Sequence, residues 1–90
     1  MTSEQLKIFK KAFFEANYGK CSFPKKISLT ENNKIEFYTN GMRGGLSVDF
    51  RFKQNENGEY YLELYGRDDY SSWRKRISSD GNIETIDFKI

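Results

Sequence analysis

Apolar and polar residues alternate without a break from Leu46 to Lys53. Leucine, valine and two phenylalanines occupy every second position, and serine, aspartate, arginine and lysine lie between them. Because successive side chains of a β-strand point to opposite faces, this order predicts a strand with one apolar and one polar face. Any fold that contains this strand must also supply an element that covers its apolar face.

Five further stretches have strand character, and turn-forming residues separate them. Asn57-Gly58 and Asp80-Gly81 are strong β-hairpin signals. Such short connections favour antiparallel neighbours, because parallel pairing needs a crossover of roughly a dozen residues or more. The sequence therefore predicts an antiparallel meander of five to six strands, at about residues 27–30, 34–39, 46–53, 59–65, 72–77 and 83–89.

The single predicted helix covers residues 3–18. Thr2 stands at the capping-box spacing from Gln5 at its start, and Gly19 supplies a stop at its end. One stripe of this helix is apolar, and it consists of Leu6, Phe9, Phe13 and Ala16. We expect this stripe to pack on one face of the sheet, which gives a single α+β domain over residues 1–90.

Composition places the chain among folded proteins. Aromatic residues make up 17% of it, whereas disordered segments are poor in aromatics. The lone Cys21 excludes an intramolecular disulfide and suits a reducing compartment. Lysines interrupt the N-terminal segment where a secretory signal would need an apolar run, and no stretch approaches the ~20 apolar residues of a membrane span. We expect a cytoplasmic protein without membrane association.

Few residues suited to catalysis or metal binding are present. The chain has no histidine, which removes the commonest general base and the commonest metal ligand. Cys21 lacks a histidine to activate it and is expected to be a small buried or half-buried thiol. Asp68-Asp69 is expected to form a turn rather than a metal site, and the glycines of residues 41–45 a hairpin loop rather than an anion site. We expect no enzyme activity, no catalytic residue, no cofactor and no metal.

A polar sheet face remains if the helix covers the apolar one. Alternation places five candidate partner-binding residues there, namely Arg51, Tyr61, Tyr65, Arg74 and Arg76. This grouping depends on register, since a slip of one residue would exchange the two faces. Three interpretations follow: cross-strand pairing that stabilises the sheet, anchors for a protein partner, or stacking and phosphate contacts for a nucleic acid.

A second candidate surface lies on the helix, where Lys7, Lys11, Phe14 and Tyr18 share one stripe. It would serve as a further contact surface or as the seam of a homodimer. The alternative is that Phe14 and Tyr18 pack under residues 21–24 together with Phe23. We favour this alternative.

These patterns predict a small non-catalytic binding protein that acts on another protein, of the inhibitor, immunity or accessory-subunit type. The alternative is a nucleic-acid-binding module that uses the same sheet face and the Lys-rich residues 1–26. The formal net charge is only +2, from 15 basic and 13 acidic residues. This balance weakens the electrostatic attraction that dominates nucleic-acid affinity, so a protein partner is favoured.

Overall fold

The computed structural model describes residues 1–38 and 45–90. In this part of the chain, one helix packs against a single sheet of five antiparallel strands that neighbour each other in chain order. The elements are α1 (Ser3–Ala16), β1 (Asn33–Tyr38), β2 (Gly45–Gln54), β3 (Tyr60–Arg67), β4 (Ser72–Ile77) and β5 (Ile83–Lys89). The predicted α+β fold, a helix on one face of an antiparallel meander, is confirmed.

Thr2 determines where α1 begins. Its hydroxyl Oγ1 accepts a hydrogen bond from the amide of Gln5 at 3.1 Å, which satisfies one of the unpaired donors at the helix start. The side chain of Gln5 does not turn back to complete a capping box. Its Nε2 donates to the carbonyl of Ser79 at 2.8 Å, so the start of α1 is joined to the turn between β4 and β5.

The end of α1 lies at Ala16, two residues before the predicted end. Both Tyr18 and Gly19 have positive φ, at 57° and 70°, and this left-handed conformation stops a helix. The amide of Gly19 then donates to the carbonyl of Phe14 at 2.9 Å and closes the last turn. Gly19 is part of the stop, as predicted, but the left-handed turn starts one residue earlier.

Residues 27–30 form no strand, so the prediction there is wrong. Side chains satisfy the backbone of this segment instead of a neighbouring strand. Asn33 accepts from the amide of Ser28 and donates to its carbonyl, both at 2.9 Å. The hydroxyl of Ser28 accepts from the amides of Thr30 and Glu31 at 3.3 and 3.2 Å. Such local side-chain bonds compete with ladder pairing and leave a turn that leads into β1.

The core lies between α1 and the sheet face that it covers, here called the inner face. Phe13 meets Phe23 and Phe50 edge to face, with ring centroids 5.1 Å apart in both pairs. Phe9 meets Phe52 in the same way at 5.6 Å. The buried inner-face residues of the strands are Leu46, Val48, Phe50, Phe52, Leu62, Leu64, Trp73, Lys75 and Ile77. The predicted division of these strands into inward and outward positions is therefore confirmed, with Tyr60 packed at the margin.

Lys75 is the charged member of the inner face, and it is only 5% exposed. Its Nζ donates to the carbonyl of Ala16 at 2.7 Å and lies 4.2 Å and 4.4 Å from the ring centroids of Tyr18 and Trp73. The last carbonyls of a helix lack intrahelical partners and carry the negative end of its dipole. The ammonium therefore satisfies one of these carbonyls and ties the end of α1 to β4.

Both predicted hairpin turns are present. Gly58 and Gly81 have positive φ, at 80° and 87°, which glycine adopts without steric cost. Their amides donate to the carbonyls of Asn55 and Ser78 at 3.0 and 2.9 Å. These turns join β2 to β3 and β4 to β5.

The pairing of β4 with β5 contains one irregularity. Arg74 lies opposite Asp87 and Lys75 lies opposite Thr85, so Ile86 is an extra residue between them. This is the arrangement of a β-bulge, in which one strand carries one residue more than its partner.

Candidate functional site

The outer face of the sheet points away from α1, and no helix covers it in residues 1–38 and 45–90. Alternation brings all five candidate partner-binding residues to this face, as the predicted register requires. Tyr65 is 47% exposed, Arg51 and Arg74 are exposed, and Tyr61 and Arg76 are half-buried. The five side chains thus lie on three adjacent strands, β2, β3 and β4.

Two arginine–tyrosine pairs occupy the middle of the outer face. Arg74 lies directly opposite Tyr65, with its guanidinium carbon 4.5 Å from the ring centroid, and it donates to the tyrosine hydroxyl. Arg76 lies over the ring of Tyr61 at 5.0 Å. Cation–π contacts at exposed sites contribute about 0.5–1 kcal/mol each. They support the cross-strand interpretation, and they also hold four side chains in place.

Glu63 is the carboxylate at the centre of these pairs, with its side chain 20% exposed. Its Oε2 lies 3.0 Å from Nζ of Lys53, and its Oε1 lies 3.5 Å from a terminal nitrogen of Arg76. The Nε of Arg76 is buried without a hydrogen-bond partner in the described residues. One carboxylate therefore neutralises two cations from the strands on either side of it.

Charges of opposite sign alternate across the outer face. Arg51, Glu63, Arg76 and Glu84 lie directly opposite one another on successive strands. A second row consists of Lys34, Asp49, Tyr65, Arg74 and Asp87. Such a pattern complements a surface that also carries both signs. A polyanion would meet a carboxylate beside each arginine of these rows.

A depression of about 210 Å³ opens on the β2 and β3 part of this face. Its lining consists of Asn32, Asp49, Phe50, Arg51, Lys53, Glu63 and Tyr65. Two candidate residues, Arg51 and Tyr65, are therefore brought to one cavity. Pockets for drug-sized ligands have volumes of roughly 300–1,000 Å³, so this depression suits a part of a partner rather than a whole cofactor.

Three residues of the candidate helix surface, Lys7, Lys11 and Phe14, lie on α1, whereas Tyr18 follows the end of the helix at Ala16. Lys7 and Lys11 are exposed, Phe14 is 45% exposed beside the backbone of Gly19, and Tyr18 lies over the ammonium of Lys75. The expectation that Phe14 and Tyr18 pack under residues 21–24 together with Phe23 is wrong.

Phe23 is instead part of the main core, against Phe13, Phe50 and Phe52. These contacts place Phe23 against the inner face of the sheet.

Cys21 and Asp68 carry side chains of chemically reactive types, but their surroundings are those of structural residues. Burial raises the pKa of the Cys21 thiol above its ordinary value. Backbone hydrogen bonds from Tyr70 and Ser71 lower the pKa of Asp68, whose carboxylate organises the turn between β3 and β4. Across the described residues, no three carboxylate or thiol side chains converge into a group that could hold a metal ion. Most of the glycine-rich loop, residues 41–44, lies outside the described residues.

Sequence reasoning missed one contact on the inner face, made by Lys75, and two features of the outer-face site. Lys75 falls at an inward position by alternation alone, but its partner Ala16 is 59 residues away along the chain, and no local pattern joins them. Asn32 reaches the depression from the segment before β1, where no periodicity predicts its direction. The alternation of sign across strands becomes visible only once the register is known.

Comparison with known proteins adds no further guide to function. The chain matches no family model, no curated protein and no solved structure. Within the residues described, no helix combines the length and apolar character needed to cross a membrane.

Proposed function

We propose that this chain is a small non-catalytic binding protein whose outer face covers a surface of another protein, in the manner of an inhibitor, an immunity factor or an accessory subunit. One observation carries the proposal. The uncovered face of the sheet presents two arginine–tyrosine pairs, each held in place by its own cation–π contact. We further propose that the protein works in the cytoplasm, where its single cysteine would remain reduced.

Fixed side chains favour tight association. Tyrosine and arginine are enriched among the residues that dominate protein–protein binding energy. Ordering a mobile side chain on binding costs about 0.5–1.5 kcal/mol, and a side chain that is already held loses less. Tyr65 and Arg74 combine exposure with such a contact, so they are the proposed central anchors. Arg51, Tyr61 and Arg76 are the proposed flanking contacts.

The charge pattern favours a protein over a nucleic acid. Phosphates approaching Arg76 would compete with Glu63, which already lies 3.5 Å from its guanidinium. They would also meet Glu84, directly opposite Arg76 on β5, and Asp49 further along the same face on β2. A protein surface offers both signs and can match each position.

The experiment compares Tyr65→Ala/Arg74→Ala with a control, Lys25→Ala/Lys26→Ala, which changes exposed residues outside both candidate surfaces. A partner is first recovered with the unmodified chain from a lysate of its source, and its Kd is measured by calorimetry. We expect the outer-face variant to raise Kd at least about 100-fold, since hot-spot residues contribute about 2 kcal/mol or more each. The control should leave Kd within about twofold.

Thermal unfolding separates binding from stability. The paired side chains contribute about 1 kcal/mol, so Tm should fall by no more than about 4–8 °C. An unchanged Kd, or a fall in Tm that accounts for the lost binding, would return these residues to a purely structural role. Fluorescence anisotropy with a single-stranded oligonucleotide tests the other class: tight binding at low salt that weakens steeply with added salt would replace the protein proposal.

A further inference from the structure

Two opposite charges on β2, at the depression of the outer face, have no ionic partner among residues 1–38 and 45–90. Asp49 and Arg51 are both exposed and both line it. Within the described residues, neither forms a salt bridge at 4.0 Å or less. They lie two residues apart on one strand, so their side chains point to the same face about 7 Å apart.

In the described part of the chain, Arg51 lacks an ionic partner because the nearest cross-strand carboxylate is shared by two other cations. Glu63 lies directly opposite Arg51 in the pairing of β2 with β3. Its two oxygens lie instead within 3.0 Å of Lys53 and 3.5 Å of Arg76. The guanidinium of Arg51 thus faces the depression, with its donors free for an external acceptor.

Asp49, on the side towards β1, also has no ionic partner among the described residues. Lys34 lies directly opposite Asp49 in the pairing of β1 with β2. Its Nζ is instead 3.3 Å from Glu36 on its own strand. The remaining cross-strand neighbour of Asp49 is Tyr65, which carries no positive charge. No described residue therefore neutralises the Asp49 carboxylate, which can accept from an external donor.

We propose that this depression recognises a pair of opposite charges on the protein partner, a carboxylate that binds Arg51 and an ammonium or guanidinium that binds Asp49. This inference rests on the proposed function and names the chemistry of the partner. A ligand with one sign only would gain one contact and be repelled at the other position, because like charges placed side by side are unfavourable. The depression is thus selective for a protein segment with an acidic and a basic residue about 7 Å apart, the distance of residues i and i+2 of an extended segment.

The test uses three capped pentapeptides of the same length as probes, with lysine and glutamate, two glutamates, or two lysines at positions 2 and 4, and inorganic phosphate as a fourth probe. Each is titrated at low salt into the ¹⁵N-labelled protein, and amide shifts are followed by NMR. We expect the mixed peptide to shift the signals of residues 49–51 and 63–65 and to bind about tenfold more tightly than either single-sign peptide.

Two neutralising variants sharpen the outcome. The Asp49→Asn variant should bind the two-glutamate peptide as tightly as it binds the mixed peptide. The Arg51→Gln variant should bind the two-lysine peptide as tightly as it binds the mixed peptide. Neither change breaks a described salt bridge, so both variants should fold. Arg67→Gln is the matched control, an exposed arginine on β3 that does not line the depression, and it should leave all four affinities unchanged.

Two kinds of result would overturn the inference. Equal binding of all peptides or preferential binding of phosphate would show that the depression does not recognise a pair of opposite charges. The absence of any amide shift at residues 49–51 would show the same. If shifts appear at Tyr61, Arg74 and Arg76 but not at residues 49–51, this inference fails while the outer face remains a binding surface. If the partner itself binds the Tyr65→Ala/Arg74→Ala variant as tightly as the unmodified chain, the proposed function fails.

Discussion

The indole ring of Trp73 fills the space where a side chain on Gly66 would lie. The two residues are directly opposite on β3 and β4, and a Cβ atom added to Gly66 would overlap the six-membered ring of the indole. The distances from this added Cβ atom to the ring carbons would be far shorter than the roughly 3.5–4.0 Å at which carbon atoms attract each other. Trp73 is 4% exposed, so the ring has little room to move. Glycine in a strand interior here marks a close approach between neighbours.

Gly66→Ala should therefore destabilise the protein by about 3 kcal/mol, at the upper end of the range for overpacked cores. Urea denaturation measures the change. Adding Trp73→Leu should recover part of the loss, because the smaller side chain leaves room for the new methyl group, and the two effects should be strongly non-additive.

Gly58→Ala is the control for this prediction. Gly58 has a φ of 80° and no atom within 4 Å of an added Cβ. Its replacement should cost about 1–2 kcal/mol from backbone strain alone, and Trp73→Leu should not change that cost. A Gly66→Ala variant as stable as the unmodified protein would contradict the packing of Trp73 against β3.

The buried ammonium of Lys75 should contribute to stability although it is charged. Lys75→Met keeps most of the side-chain volume but removes the donor to the carbonyl of Ala16 and the cation between two aromatic rings. A polar group left unpaired in the interior costs about 1–3 kcal/mol, so Tm should fall by at least about 4 °C. Lys25→Met, at an exposed position, should leave Tm nearly unchanged. A rise in Tm on Lys75→Met would show that burying the charge outweighs its contacts.

The turn between β3 and β4 should be sensitive to acid through Asp68. Its carboxylate accepts from the amides of Tyr70 and Ser71 at 2.8 and 2.6 Å, and these bonds hold its pKa below the ordinary value. A group with a lowered folded pKa stabilises the protein above its unfolded pKa of about 3.9 and loses this effect as the pH falls through the folded pKa.

Asp68→Ala should thus reduce the free energy of unfolding by about 1 kcal/mol at pH 6, and this difference from the unmodified protein should shrink below about pH 4. Asp69→Ala is the control, since the neighbouring carboxylate is exposed and makes no described hydrogen bond in the turn. A difference in free energy of unfolding that persists at pH 2 would show that Asp68 stabilises the turn through contacts that do not depend on its charge.

Cys21 should make stability depend on alkaline pH. Burial raises the pKa of its thiol, so the unfolded chain loses this proton before the folded one does. Above the unfolded pKa of about 8.5, the unfolded state binds fewer protons and the free energy of unfolding falls with pH.

The difference in free energy of unfolding between the unmodified protein and Cys21→Ala should accordingly be constant below about pH 7.5 and should decrease as the pH rises above about 8.5. Urea denaturation of both proteins across this range gives the difference and cancels the titration of other groups. A difference that increases with pH would mean that the thiolate is stabilised in the folded state.

Local periodicity was sufficient to predict most of the sheet. The alternation of residues 46–53 and of the two stretches that follow predicts which side chains of β2, β3 and β4 face inward, and the structure has the same division between inner and outer faces. Residues 27–30 alternate over too short a span to outweigh the side-chain bonds between Ser28 and Asn33. Alternation is therefore a reliable guide only where no nearby polar side chain satisfies the backbone.

The candidate site could be predicted only as a list of residues. Which charges remain available depends on how Glu63 divides its two oxygens between Lys53 and Arg76, and this follows from side-chain reach across three strands. The available charge of Arg51 is a consequence of that division, and that of Asp49 follows from the contact of Lys34 with Glu36. No pattern along β2 alone could therefore distinguish these two residues from their neighbours.

Because β5 contains the extra residue Ile86, its side chains alternate between the two faces of the sheet in one order before Ile86 and in the opposite order after it. Before Ile86, odd-numbered residues lie opposite the inner positions of β4, and after it the even-numbered Phe88 lies opposite Trp73. A deletion of Ile86 would merge these two orders into one regular ladder and keep Asp87 opposite Arg74, whereas a deletion further along the strand would exchange the faces of the residues beyond it. The last strand can therefore vary in length at one position without altering the charge pattern of the outer face.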